Sequence, residues 1–376
     1  MRNKILFNKP SIHQEEKFFI NQVFKNQKFA DGPFQKKCKL FIQNLLKSKC
    51  IEITQSCSSA LEVSMLLIDL KKGDEVIMPS YTFTSTANCV LLRGATPVFA
   101  DVLFKDVNLD IEEVKKKINR KTRAIIVVHY AGISCDMSAY VKLAKDYNLY
   151  LIEDAAHAFL GKYNNKYLGT IGDLGAFSFH ETKNFTGGQC GALSINNKKF
   201  IKKAMIILDK GTDRSIMDNK KKFYSWHGIG SEYRAPELSS ALLFGQLKNY
   251  RKIYSSRRLI WLEYFNNFSK IKSNKFSLLE INNKKKRNAY HIFPIIFKNL
   301  KIRNKFIAYM NEHNIECYFH YYPLHMSKFG KQFGNKNLVK TKKIYEGLVR
   351  LPLYSKLKKL ELLYIIHTVK KFLKLN

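Results

Sequence analysis

Length, composition and charge narrow the class of protein before any motif is considered. The chain has 376 residues, of which 45% are hydrophobic, enough for one large α/β domain and a smaller one. It contains no apolar run of the roughly 20 residues that a membrane-spanning helix needs, and charge interrupts the short apolar stretch at its N-terminus. These features predict a globular protein that is neither secreted nor inserted in a membrane.

The cysteine content and the net charge add two further constraints on the class of protein. Seven cysteines lie far apart without any C-x-x-C pair, so we expect no disulfide framework, no metal site and a cytoplasmic location. The 65 Lys and Arg against 30 Asp and Glu give a net charge of +35, which is typical of nucleic-acid binding. The lysines, however, are spread along the whole chain, and only short clusters such as 283–287 stand out. This favours a composition bias with solvated faces, and leaves affinity for anionic substrates or for polyanions as alternatives.

Between about residues 52 and 196, short β-rich runs alternate with helix-length patterns. Some runs are almost continuously apolar, as at 124–128, which is typical of strands buried on both faces. The predicted strands are 50–53, 76–78, 97–102, 123–130, 150–153, 176–179 and 192–195. The predicted helices among them are 59–70, 84–93, 111–118 and 137–147. This alternation predicts a largely parallel, doubly wound sheet covered by helices.

The pattern changes after Glu237. A long helical stretch comes first, followed by apolar runs at 290–297 and 315–322 and by a final helix with one apolar face. We therefore predict a large α/β domain over residues 1–240 and a smaller α+β domain over residues 241–376. The N-terminal segment is expected to lie either with the first domain or against the second.

Ligands of open parallel sheets bind beyond the carboxyl ends of the strands, so the residues that follow strands are the first candidates for a site. The hydroxyl-rich segment 54–61 leads into a helix whose N-terminus attracts phosphate, and Ser58 and Ser59 add donors; an ordinary N-cap is the alternative. Phe83, in the segment 79–85, offers a ring for stacking on a flat cofactor, or a core side chain.

Two later strand ends carry an acid and a lysine. Asp154 follows a buried strand, where a carboxylate can keep a ring nitrogen protonated; a helix cap or a salt bridge is the alternative. Lys183 lies in a Gly-rich turn, where desolvation lowers the pKa of an amine, as a Schiff base requires. The combination of all four segments in this order indicates a pyridoxal 5′-phosphate site.

The sequence lacks the motifs of two other ligand-binding folds. No G-x-G-x-x-G or G-x-x-x-x-G-K-[ST] motif is present, which disfavours dinucleotide and P-loop folds.

At these residues the chain resembles the DegT/DnrJ/EryC1/StrS sugar aminotransferases, of fold type I. The resemblance runs from Phe7 to Leu353 and is densest in GDEVIMPSYTFTSTAN, VHYAG, EDAAHA and GTIGDLGAFSFHETKN. Within the family the chain is most similar to the dTDP-4-amino-4,6-dideoxygalactose transaminases. The resemblance implies that L-glutamate donates an amino group to the C4 keto carbon of a dTDP-4-keto-6-deoxyhexose, for surface polysaccharide biosynthesis. It also implies a homodimer with shared active sites and no membrane association.

The resemblance further implies roles for individual residues. Lys183 forms the Schiff base and moves the proton between the substrate and the cofactor, Asp154 pairs with the pyridine nitrogen, and His157 lies near the ring. Further cofactor contacts are implied for Ser58, Ser59, Ser178 and Phe83.

The chain departs from the family pattern at one cofactor contact. Many members place an asparagine of the neighbouring subunit against the phosphate, and here Glu232 occupies that position, where its charge would repel the phosphate. Arg234 matches the motif's arginine and is a candidate for a phosphate or substrate contact. His320 and His325 lie where relatives approach the sugar nucleotide, with core packing as the alternative.

Two other functions are weighed against the aminotransferase. A dehydratase of the same fold replaces the Schiff-base lysine with histidine, and Lys183 disfavours it. A regulatory or nucleic-acid-binding protein built on the aminotransferase scaffold, without turnover, is the alternative that the positive charge suggests.

Overall fold

The centre of the molecule is a seven-stranded, mostly parallel sheet. The computed structural model describes residues 4–217, 223–271, 273–281, 285–334 and 337–375. Its strands are β1 (Ile51–Thr54), β2 (Glu75–Pro79), β3 (Thr96–Ala100), β4 (Thr122–Val128), β5 (Tyr150–Asp154), β8 (Leu174–Ser178) and β9 (Gly191–Ile195). The short hairpin strands β6 (Lys162–Tyr163) and β7 (Lys166–Tyr167) lie outside this sheet. The order in this sheet is β1-β9-β8-β5-β4-β2-β3, and β9 runs in the direction opposite to its other six strands.

The seven strands predicted between residues 50 and 195 are those of this sheet, with ends that differ by at most two residues. The expectation of a mostly parallel sheet between helices is therefore confirmed. Strand β4 shows its physical basis, because Ile125 and Val127 point into one core while Ala124 and Ile126 point into the other. A strand with two apolar faces is stable only when helices cover both.

Helices cover both faces of the seven-stranded sheet, and further helices pack against a second, smaller sheet. They are α1 (Gln14–Asn26), α2 (Pro33–Leu46), α3 (Cys57–Leu67), α4 (Ser85–Leu91), α5 (Ile111–Lys115), α6 (Met137–Asp146), α7 (Ile201–Leu208), α8 (Glu237–Lys248), α9 (Tyr250–Phe268), α10 (Leu300–Glu312), α11 (Val339–Gly347) and α12 (Lys359–Leu375). None of the helices in the described ranges has the length and apolar character required to cross a bilayer.

The second sheet has four antiparallel strands and its own hydrophobic core. Its order is β10 (Phe276–Leu278), β12 (Phe293–Phe297), β14 (Leu348–Leu351) and β13 (Tyr318–Phe319). The short strand β11 (Lys286–Arg287) instead pairs with β6. Strand β14 had no counterpart in the predicted elements, because a four-residue run directly after a helix, with Arg350 among three apolar residues, gives no separate strand signal.

The N-terminal segment lies against the second sheet. Ile5 forms a bridge with Ile315, and the ring of Phe7 packs edge-on against Tyr318 with centroids 5.4 Å apart. Helix α1 then packs against α8. The boundary near residue 240 stays a prediction, since β11 shows that later residues also join the first part of the chain.

Candidate active site

A cavity of about 770 Å³ lies between the carboxyl edge of the large sheet and the second sheet. Most of the residues proposed from the sequence line it: Ser58, Phe83, Asp154, His157, Ser178, Lys183 and His320. A larger open groove of about 1040 Å³ lies at the amino edge of the large sheet, where parallel sheets do not usually bind ligands. The cavity at the carboxyl edge is therefore the candidate site.

Lys183 belongs to the turn that follows β8. Its backbone N–H donates a hydrogen bond to the carbonyl of His180 at 2.9 Å, which fixes the turn. Burial lowers the pKa of its amine from 10.5 to about 8, while the nearby Asp154 carboxylate acts in the opposite direction. A large fraction of the amine is consequently neutral, and nucleophilic, near pH 8.

Asp154 is the last residue of β5, and its carboxylate is buried. Thr86, in α4, donates its hydroxyl to one carboxylate oxygen at 2.8 Å, and the backbone N–H of Ala156 donates to the other at 3.1 Å. Burial raises the pKa of Asp154, and these hydrogen bonds and the charge of Lys183 oppose that effect. Because a buried carboxylate is costly without a cationic partner, this position favours a protonated ring nitrogen beside it.

The N-terminus of α3 forms another wall of the cavity. Ser56 caps the helix by accepting a hydrogen bond from the N–H of Ser59 at 3.0 Å, and the two hydroxyls are also 3.0 Å apart. Ser58 lines the cavity and shares a hydrogen bond of 2.6 Å with Ser85. The first turn of the helix leaves backbone N–H groups available for an anion. Gly191 permits this packing, since a Cβ there would lie 2.3 Å from the carbonyl carbon of Ser56.

Three histidines meet on one side of the cavity. His157 stacks on His320 with ring centroids 5.7 Å apart, and His291 lies 4.4 Å from His157. Burial holds the pKa of each of the three imidazoles well below its usual range, so all are neutral at pH 7. The hydroxyl of Tyr321 lies 3.3 Å from His157 Nε2, whereas His157 Nδ1 has no partner in the described part of the chain. That nitrogen is free to bond a ligand.

The remaining sequence-proposed residues do not line the cavity. Ser59 bonds within its helix cap, and Arg234 forms an ion pair of 3.3 Å with Asp209. Glu232, at the unusual family position, is exposed and pairs with Lys210. The roles of Ser59 and Arg234 stay predictions.

His325 lies in the interior, where its Nδ1 is 2.6 Å from the Ser80 hydroxyl. This location favours the core alternative for His325, and its substrate role stays a prediction.

Sequence reasoning missed several residues of the cavity wall. Thr86 lies in one of the quoted motifs, where an additional hydroxyl after a strand was a usable signal. Tyr321, His291 and Arg350 come from the second sheet and its loops, and no local pattern distinguishes them from core residues.

Comparison with known proteins decides the family. The model of the DegT/DnrJ/EryC1/StrS aminotransferase family matches residues 10–370. The chain belongs to this family. A protein of Methanocaldococcus jannaschii, itself uncharacterised, is 33% identical over 98% of this chain and 97% of its own. The GDP-perosamine synthase of Escherichia coli O157:H7 is 28% identical over 96% of this chain and 97% of its own.

A solved structure confirms fold type I for this member of the DegT/DnrJ/EryC1/StrS family. Helicobacter pylori PseC, an aminotransferase involved in the biosynthesis of pseudoaminic acid, superposes with a TM-score of 0.92. It is 25% identical, and the match covers 100% of both chains. The family resemblance identified from the sequence is thus confirmed.

Pyridoxal 5′-phosphate is the cofactor of this aminotransferase, and the residues present fit it. A helix N-terminus with hydroxyls suits the phosphate, and a buried carboxylate suits the ring nitrogen. The unpartnered Nδ1 of His157 lies in the same cavity, as does an amine of lowered pKa on Lys183. The phosphate, the ring nitrogen and the aldehyde of the cofactor thus each have a matching group in this wall.

The lowered pKa of Lys183 predicts a pH dependence for cofactor uptake. Only the neutral amine reacts with an aldehyde, so the rate of uptake by cofactor-free protein should rise with pH and be half-maximal near pH 8. Stopped-flow absorbance measures this rate. A free lysine derivative, whose pKa is about 10.4, serves as the control and should continue to gain rate above pH 9. A midpoint near pH 10 in the protein would contradict the desolvation of Lys183.

Proposed function

We propose that this aminotransferase moves the amino group of L-glutamate to the C4 keto carbon of a nucleotide-linked 4-keto-6-deoxyhexose, with dTDP-4-keto-6-deoxy-D-glucose as the substrate. The product is a 4-amino-4,6-dideoxy sugar nucleotide for surface polysaccharide biosynthesis. The observation that carries the proposal is the placement of Lys183 and Asp154 in one buried cavity together with the helix N-terminus of α3.

The relatives support a sugar substrate. Besides the GDP-perosamine synthase and PseC, the Bacillus subtilis spore coat polysaccharide biosynthesis protein SpsC is 29% identical over 99% of this chain. The cavity, at about 770 Å³, is within the range of roughly 300–1,000 Å³ that small-molecule sites occupy. The net charge of +35 also favours the encounter with an anionic sugar nucleotide.

Three residues of the chain have separate roles in the proposed transamination. When bound, pyridoxal 5′-phosphate supplies an electron sink for the carbon that loses a proton. The amine of Lys183, neutral in part near pH 8, takes that proton and returns it. The carboxylate of Asp154, fixed by Thr86, keeps the ring nitrogen protonated. His157 and its stacked neighbours form a wall that limits access of water.

Homodimerisation is part of the proposal. The segment 223–229 exposes large apolar side chains, with Phe223 at 81% and Trp226 at 80% exposure, and Ile229 extends the patch. Several large apolar side chains exposed within one short segment are typical of protein interfaces. It supports a dimer in which a second copy covers this segment. The cytoplasmic location stays a prediction.

A substrate panel tests the proposed reaction. The protein is incubated with L-glutamate and dTDP-, UDP- or GDP-linked 4-keto-6-deoxyhexoses, and the products are identified by NMR. We expect amination at C4, fastest with the dTDP sugar, and none with the Lys183→Ala variant as the matched control. Faster turnover of another nucleotide would correct the substrate. Absence of any amination, combined with salt-sensitive DNA binding, would favour the regulatory alternative.

A further inference from the structure

Arg350 lies in β14, and its guanidinium lines the same cavity as Lys183. The Nε atom is shielded from solvent and has no hydrogen-bond partner among the described residues. One terminal nitrogen donates to the backbone carbonyl of Phe319 at 3.0 Å. A guanidinium has five N–H donors, so most of its bonding capacity is left for a ligand.

No carboxylate in the described ranges comes within the 4.0 Å of an ion pair with Arg350. Its surroundings are instead aromatic: the guanidinium carbon lies 4.6 Å from the centroid of the Phe7 ring. The nearby rings of Tyr81, Tyr130 and Tyr321 pack edge to face against one another. Burial lowers the pKa of Arg350. Because a shielded cation without an anionic partner is costly, the cavity is incomplete without an anion at this position.

The proposed reaction brings three anionic groups into this cavity: the phosphate of the cofactor, the diphosphate of the sugar nucleotide and the carboxylate of the amino acid. Two of them fit Arg350 poorly. The phosphate of the cofactor is accounted for by the N-terminus of α3 and Ser58. The diphosphate of a sugar nucleotide is separated from the reacting C4 carbon by the width of the sugar ring. The carboxylate of an amino acid, in contrast, is attached directly to the carbon that carries the reacting amine.

The position of Arg350 relative to Lys183 decides between these anions. After the larger effect of burial, the positive charge of Arg350 contributes to the lowered pKa of Lys183, and it acts in the same way on His157 and His320. The geometry agrees, because Arg350 pairs with Tyr318 in β13, and this strand leads to His320, which stacks on His157. Arg350, Lys183 and both histidines line the same cavity. Of the three anions, a carboxylate one bond from the reacting carbon is the one that must lie near the amine of Lys183 in this shared cavity.

We propose that Arg350 binds a carboxylate of the amino-acid donor and thereby selects amino acids over simple amines. The inference rests on the proposed transamination and names the residue that recognises its donor. Planar guanidinium and planar carboxylate form paired, charge-assisted hydrogen bonds, for which the unpartnered Nε is available. Lysine at this position would retain the charge but lose the paired geometry.

The two half-reactions test this assignment separately. Single-turnover absorbance follows the reaction of glutamate with the cofactor-loaded enzyme, and then the reaction of the aminated enzyme with the keto-sugar nucleotide. In Arg350→Gln we expect the apparent affinity for glutamate to fall at least roughly 30-fold, with a change of less than about 3-fold in the sugar half-reaction. Arg350→Lys should recover part of the loss. An equal loss of apparent affinity in both half-reactions, or a loss confined to the half-reaction with the keto-sugar nucleotide, would overturn the proposal.

A binding measurement separates this inference from the proposed function. Calorimetry with glutarate, a dicarboxylate without an amine, requires no turnover. Wild-type protein and the surface variant Arg120→Gln should bind it equally, and Arg350→Gln should bind it at least about 30-fold more weakly. Circular dichroism verifies that each variant is folded. Equal binding by folded Arg350→Gln would reject the role of Arg350, whereas failure of wild-type protein to aminate any sugar would reject the proposed function alone.

Discussion

Replacing Lys183 with alanine is expected to abolish transamination and to remove the visible absorbance of the lysine-bound cofactor. Lys183 is the lysine that lines the cavity next to Asp154, and burial brings the pKa of its amine to about 8. No other group in the described cavity wall combines a neutral amine with this position. The loss of both nucleophile and proton carrier should lower the turnover number at least about 10⁴-fold. Steady-state kinetics and an absorbance spectrum measure both effects.

A lysine outside the cavity provides the control for this variant. Lys198→Ala removes an exposed lysine and should retain both the spectrum and the turnover. Alanine at position 183 should leave the fold intact, because the side chain of Lys183 contributes no ion pair in the described structure. Retention of the absorbance and of turnover in Lys183→Ala would refute the assignment of this residue.

Asp154→Asn is expected to keep the cofactor but to lose most of the rate. Asparagine has nearly the same shape and can still accept the hydrogen bond from Thr86, so the cofactor should bind. Without the negative charge, however, nothing keeps the ring nitrogen protonated, and the electron sink weakens. We expect the turnover number to fall at least about 100-fold, the size of losing one charge-stabilising group. Single-turnover kinetics with glutamate measure this effect.

Thr86→Val is the matched comparison for Asp154→Asn. It removes the hydrogen bond of 2.8 Å to the carboxylate but leaves the charge, so its effect on the rate should be smaller. Loss of this bond also strengthens the tendency of burial to raise the pKa of Asp154, so the low-pH limb of the rate profile should move upward. Near-normal rates in Asp154→Asn would remove this residue from its proposed role.

The sequence predicted residues that follow strands more successfully than residues that come from the second sheet. Asp154 ends a strand of the mostly parallel sheet, and Ser58 and Lys183 lie in the segments that follow two other strands. The carboxyl ends of those strands meet at one edge by the geometry of the fold. Their convergence could be inferred from chain order. Arg350 and His291 reach the same cavity from a second sheet, and nothing in their local sequence indicates that this sheet faces the first.

Position along the chain was also insufficient to assign Arg234 and His325. Both lie in motifs that resemble a binding site, yet Arg234 pairs with Asp209 and His325 bonds with Ser80. The partners are 25 and 245 residues away, respectively. A motif names a residue type at a position, but the direction of its side chain depends on which distant groups compete for it.

By itself, the sequence determined the alternation of strands and helices, the bounds of the seven central strands to within two residues, and the chemistry at their ends. These features follow from side-chain periodicity and from residue type, which are local properties. The tertiary structure alone decided the order β1-β9-β8-β5-β4-β2-β3, the reversed direction of β9, and the position of the second sheet over the site. Those features depend on how two hydrophobic cores pack together, and that packing joins residues hundreds of positions apart.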